Sequence, residues 1–183
     1  LFRDFVVEIN YNRKFLRFHD PDSYTSRNRK DEVTLPLVVE DSKAYLKGTV
    51  VVTGQEEVPV KLLMDTGSSD ALWLFPDREK GLEVPLNHYD DYLGKGLSGT
   101  IYGKRTRIQQ VRFGEFVLRD AKAAFPYMES FKLASDLGDR SGSAGGELLK
   151  RFNMVVNYPK GEITLKKNAL FDDPFQFNLA GIE

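Results

Sequence analysis

Asp65 ends the largely apolar run Val60-Lys61-Leu62-Leu63-Met64 and is followed at once by Thr66-Gly67-Ser68-Ser69. A strand that runs into a carboxylate and then into small residues holds that carboxylate at the tip of a tight loop, open to a second acid. Two carboxylates about 3 Å apart cannot both ionise, so they share one proton. The ionised member draws a proton from water as it attacks, and the protonated member donates to the group under attack. Hydrolysis by such a pair needs no covalent intermediate. Asp-Thr-Gly occurs only once in the chain, however, and a lone solvated aspartate is ionised at neutral pH and a poor general acid.

Other chemistries find less support. There is no cysteine, which excludes disulfides, thiolate zinc sites and a cysteine nucleophile. The only histidines, His19 and His88, lie in no recognisable motif. They argue against a multi-histidine metal site and a Ser-His-Asp triad; no metal and no cofactor is expected. Gly94 to Gly103 carries four glycines, but no Gly-Lys-Ser/Thr ending follows, so it is not a phosphate loop. The adjacent acids Glu56-Glu57 and Asp90-Asp91 point to opposite faces of an extended strand and read as solvated. Net charge is −1, with both signs well mixed, which gives no nucleic-acid or anionic-membrane partner. The basic stretch Lys104-Arg105-Thr106-Arg107 is explained by alternation within a strand. No apolar run is long enough to span a bilayer.

The elements that must position Asp65 are short strands broken by Gly and Pro. Leu35 to Val39 and Ala44 to Thr53 read as strands, the second rich in β-branched residues. A turn at Gly54 to Glu57 returns the chain through Val58 to Met64, with Val58, Val60, Leu62 and Met64 on one face. Ala71 to Phe75 is an apolar strand buried on both faces, with Trp73 in the core. After Pro76 the chain is polar and irregular until a strand from Arg105 to Phe113, followed by further strands through Phe125. A loose stretch runs to Gly142. Gly145-Gly146 introduces a short helix, Glu147 to Phe152, and a hairpin from Met154 to Leu165 closes the unit. The pattern predicts a mainly β fold: a small closed β-barrel with one short helix near the C-terminus.

The two ends of the sequence repeat one another. Leu1 to Tyr11 aligns with Leu148 to Tyr158, with Leu, Phe, Asn and Tyr coinciding, and Phe15 to Phe18 aligns with Glu162 to Leu165. Residues 1–20 are therefore expected to be the helix and hairpin remnant of a first lobe. Residues 21–32, polar and charged, are a linker; 33–167 form the main lobe, and 168–183 form a C-terminal connector. The chain begins at Leu1 rather than Met and reads as a piece of a longer protein.

Three features in order resemble the retropepsin-like aspartic proteases: the Asp65-Thr66-Gly67-Ser68 loop after a strand, the glycine-rich segment some thirty residues later, and Gly145-Gly146-Glu147-Leu148-Leu149 before Val155-Val156-Asn157-Tyr158. The likeness is strongest to bacterial tandem members, which join two lobes in one chain and often carry a peptide-binding PDZ domain after them. The resemblance implies an aspartic endopeptidase lobe acting on peptides or proteins, in an extracytoplasmic setting. It makes Asp65 the catalytic aspartate. Thr66 would bridge to the partner lobe through its hydroxyl, Gly67 would permit the turn, and Ser68 would bond the carboxylate region. Gly96, Leu97, Ser98, Gly99, Thr100, Ile101 and Tyr102 would form the flap over bound peptide. The family's two bulky apolar residues before the helix glycine are replaced by Ser143-Ala144, which implies looser packing beneath the loop. The second aspartate would come from the first lobe or from another copy in a two-fold dimer. A non-catalytic peptide-binding module on the same fold is the alternative.

Overall fold

The computed structural model describes residues 2–26, 29–96, 99–127, 129 and 138–176. The strands are β1 (Val6–Asn10), β2 (Phe15–His19), β3 (Glu32–Glu40), β4 (Lys43–Val51), β5 (Glu57–Asp65), β6 (Leu72–Leu74), β7 (Tyr89–Gly96), β8 (Gly99–Phe113), β9 (Phe116–Pro126), β10 (Gly142–Gly145), β11 (Phe152–Asn157) and β12 (Glu162–Lys167). The one α-helix among the described residues, α1, spans Gly146–Leu149.

Following the hydrogen-bonded neighbours gives β4-β5-β10-β6-β9-β8, and β8 pairs back onto β4. The result is a closed six-stranded β-barrel, as the strand pattern predicts. Closure depends on Gly48. A Cβ there would lie 2.4 Å from the Arg112 carbonyl oxygen, so only glycine lets β4 come this close to β8. Val50, Leu62, Leu72, Leu74, Ile108, Val111 and Ala121 are among the residues that fill the interior. Burying them removes their side chains from water, at roughly 1.5–3 kcal/mol for each large one.

From β4 the sheet continues outward through β3, β12, β11, β1 and β2. The β1–β2 and β11–β12 hairpins share one register. Val7 faces Phe18 as Met154 faces Leu165, and Ile9 faces Leu16 as Val156 faces Ile163. Between them, β1 and β11 run antiparallel, with Val7 on Val156, Glu8 on Val155 and Ile9 on Met154.

Three elements differ from the sequence expectation. The helix is a single turn, because the chain enters β11 at Phe152. Strand β10 starts at Gly142, where the loose stretch was expected to end, and no strand was expected there. Strand β7 lies in the polar stretch after Pro76 and pairs with the first half of β8. The segment after β12 packs on the lobe: Phe171 and Phe175 are buried, with Phe171 against Phe152 and Phe116. The buried Arg151 guanidinium donates to the carbonyls of Leu170 and Phe171 at 3.0 and 3.3 Å and to that of Asp173, and it stacks 3.7 Å from the Phe175 ring centroid. No described helix is long and apolar enough to cross a membrane.

Candidate active site

Asp65 is the last residue of β5, where the barrel strand gives way to the loop. Leu62, three positions inside, is fully buried, whereas Asp65 is half-buried and Thr66 and Gly67 are exposed. The loop folds back on the carboxylate: the Gly67 N–H donates to Asp65 Oδ1 at 3.1 Å, and the Ser68 N–H to the Asp65 carbonyl at 3.3 Å. The Ser68 hydroxyl accepts from the Asp70 N–H at 3.3 Å and so shapes the loop. Thr66 faces solvent.

Beneath the loop, β10 slots between β5 and β6, parallel to the first and antiparallel to the second. This brings Gly145 beside Asp65 and Ser143 beside Leu63. The Gly145 and Gly146 N–H groups donate to the Ala71 and Ser68 carbonyls at 2.9 and 2.7 Å. A Cβ on Gly145 would sit 2.2 Å from the Asp70 carbonyl oxygen, so this glycine is required where helix and loop meet. Ser143 and Ala144, expected to leave loose packing, are both buried. The Arg140 guanidinium closes over Ser143 by bonding its hydroxyl.

The β7–β8 hairpin is the glycine-rich segment. Gly96 pairs with Gly99, Lys95 with Thr100 and Gly94 with Ile101, and Tyr92 stacks edge-on against Tyr102 at 5.9 Å. Leu97 and Ser98, expected at its tip, lie outside the described residues. A half-buried polar link that sequence reasoning missed ties this hairpin to the loop. Arg105 of β8 donates to Asp91 of β7 and to Asp70 at the loop's end, both at 2.5 Å, and Trp73 Nε1 donates to Asp70 Oδ2 at 2.6 Å. Burial pulls the Arg105 pKa down, but Asp70 and Asp91 more than offset it, so the guanidinium is held above its usual value. Trp73, expected in the core, is half-buried with its N–H committed to this link.

No group of three or more His, Cys, Asp or Glu with metal-binding geometry occurs among the described residues. His88 contacts the Pro85 carbonyl at 2.7 Å and Lys104 at 2.8 Å, and His19 contacts Glu8 at 3.4 Å. Cavities of about 610 and 600 Å³ lie by the C-terminal segment and by Leu86 to Tyr89, away from Asp65, whose loop is open to one side.

The profile of the aspartyl protease family matches residues 48–143, just over half of the chain, including β5, the Asp65 loop and the hairpin and ending within β10. The chain belongs to the aspartyl protease family. The family drawn from the sequence motifs is thus borne out. Among solved structures, the protein is similar to a retropepsin-like aspartic protease from Rickettsia conorii, at 20% identity over 74% of this chain and 90% of that one, with a TM-score of 0.48. The curated proteins give no sequence match.

Proposed function

We propose that this aspartyl protease chain is one lobe of an endopeptidase in which Asp65 supplies one of two carboxylates and a first lobe supplies the other. In this reading the β1–β2 hairpin is the end of that first lobe. Residues 21–32 link the lobes, and residues 33–167 form the second lobe. A water between the two acids attacks the peptide carbonyl. One carboxylate takes its proton, the other protonates the carbonyl oxygen, and the pair titrates as a unit. The flap, residues 96–102, closes over the substrate, and the exposed Thr66 hydroxyl reaches the partner loop.

The supporting observation is an unmatched apolar face. Under the repeat, Phe5 corresponds to Phe152, Leu16 to Ile163 and Phe18 to Leu165. The second member of each pair is 0–1% exposed, whereas Phe5, Leu16 and Phe18 are 38, 58 and 43% exposed. The β1–β11 ladder is unchanged when the two copies exchange places, as a two-fold contact requires. Each feature fits a second barrel seated on β2 as this one is seated on β12.

The test compares peptide cleavage by the full-length protein with that of its Asp65→Asn form across pH. The expected result is a bell-shaped profile for the parent and a loss on the order of 10³-fold or more in the variant. Equal rates would remove Asp65 from the mechanism.

A further inference from the structure

Beside Asp65 lies a cation for which the two-carboxylate chemistry has no use. Ser143 pairs with Leu63 on one side of β5, and Tyr45 of β4 pairs with Leu63 on the other. Side chains alternate along a strand, so Tyr45, Leu63, Asp65 and Ser143 share one face. Arg140 lays its guanidinium on that face. Nε donates to the Gly142 carbonyl at 2.8 Å, Nη2 donates to Ser143 Oγ, and the Phe75 ring centroid lies 5.3 Å from Cζ. Ser143 precedes Gly145, the partner of Asp65, by two residues, or about 6.6 Å of strand. A guanidinium anchored there is within one side-chain length of the catalytic carboxylate. Burial lowers the Arg140 pKa, while Tyr45 and Asp65 act to raise it.

Among the described residues two cations serve this face, and carboxylates pair with one of them. Lys61 is held by Asp139 at 2.6 Å and Glu40 at 2.7 Å. Among the described residues Arg140 bonds only neutral acceptors, a carbonyl and a hydroxyl. A guanidinium carries five N–H donors in a planar fork, and among the described residues the edge turned away from Gly142 and Ser143 meets no acceptor. A half-buried cation in this state gains most from a carboxylate, which can take the free edge with two parallel bonds.

We propose that Arg140 is a specificity-determining residue: it forms a cationic subsite beside Asp65 that receives an aspartate or glutamate side chain of the substrate next to the bond being cut. The proposal rests on the endopeptidase reading above. The backbone of an extended peptide lying along this face supplies affinity, and the side chain that meets Arg140 supplies selection.

The full-length protein and its Arg140→Leu and Arg140→Lys forms would each digest a proteome-derived peptide library, with the cut sites read by mass spectrometry. Asp and Glu should be enriched at one position flanking the cut by the parent protein. The enrichment should fall on the order of tenfold in Arg140→Leu and be partly kept in Arg140→Lys. Equal enrichment in all three proteins, or none in the parent, overturns the subsite. A second measurement uses the Asp65→Asn background and fluorescent peptide pools that differ only in Glu against Gln. Tighter binding of the Glu pool, lost with Arg140→Leu, upholds the subsite even where nothing is cut and the endopeptidase reading has failed. Equal binding of both pools overturns it.

Discussion

At the scale of single residues, the face beside Asp65 is organised by charge. Lys61 is buried, yet it keeps its ammonium because Asp139 and Glu40 accept hydrogen bonds from it. Asp139, and then Glu40, hold the Lys61 pKa above its usual value. In return, the bond from Lys61 holds the Asp139 carboxyl below the usual carboxylate range. The signs define a window. A lowered carboxyl contributes stability that is present above the unfolded value of about 3.9 and lost as pH falls through the folded one. A raised ammonium contributes stability that is present below about 10.4 and lost as pH rises through the folded value. The pair therefore stabilises the fold through the neutral range. Asp139→Asn should lower the urea midpoint at pH 7, modestly, because the Asp139 carboxylate is largely in water. The gap to the parent protein should close in titrations below about pH 3.9. A gap that stays constant down to pH 2.5 would assign the effect to something other than this charge.

At the scale of elements, the Asp70–Arg105–Asp91 link joins the Asp65 loop to the base of the β7–β8 hairpin, so the two elements should loosen together. Arg105 and Asp70 are largely buried, and among the described residues removing the guanidinium leaves the Asp70 carboxylate with only the Trp73 N–H. Arg105→Met should cost about 2–3 kcal/mol, somewhat less than loss of one partner from a fully buried pair. Amide exchange should rise in both β7 and the segment 66–70. Faster exchange in β7 alone would show that the two elements are not coupled. The sequence reveals some of this architecture and hides the rest for physical reasons. Strand β5 and its terminal aspartate are legible because Val58, Val60 and Leu62 alternate into the core and the small residues after Asp65 can only be a loop. Strand β10 is invisible because Gly142-Ser143-Ala144-Gly145 has no β propensity; its place between β5 and β6 is set by the lack of bulk. Asp91 and Arg105 read as solvated charges, since nothing local records that a hairpin will bring them together beside Asp70. Arg140 was hidden likewise: its place beside Asp65 depends on the parallel pairing of β10 with β5. The residue that anchors Phe171 and Phe175, Arg151, precedes β11 in sequence and reaches them only because the hairpin pairs Phe152 with Lys167.

At the scale of the whole molecule, the deciding property is that one barrel is complete while the sheet beside it is not. The β4-β5-β10-β6-β9-β8 ring closes on itself, so the lobe's core owes nothing to β2. Phe152 packs against Phe116 and Phe171, with ring centroids 5.4 and 5.3 Å away, while its counterpart Phe5 meets only Phe18, at 5.9 Å, among the ring contacts described. A partner lobe would supply the missing rings. Replacing Leu16 and Phe18 together by glutamate places two charges where the two-lobe reading puts a buried interface. In the 183-residue chain these positions face water, so the double variant should shift stability by no more than about 1 kcal/mol. In the full-length protein the same changes should separate the lobes: peptide cleavage should collapse and the first lobe should lose its cooperative unfolding transition, while the transition of the second lobe survives. The contrast between the two backgrounds carries the information. A double variant equally active in the full-length protein would mean that the apolar face of β2 is not where the lobes meet. The second carboxylate would then have to reach Asp65 by a route other than the β1–β11 two-fold.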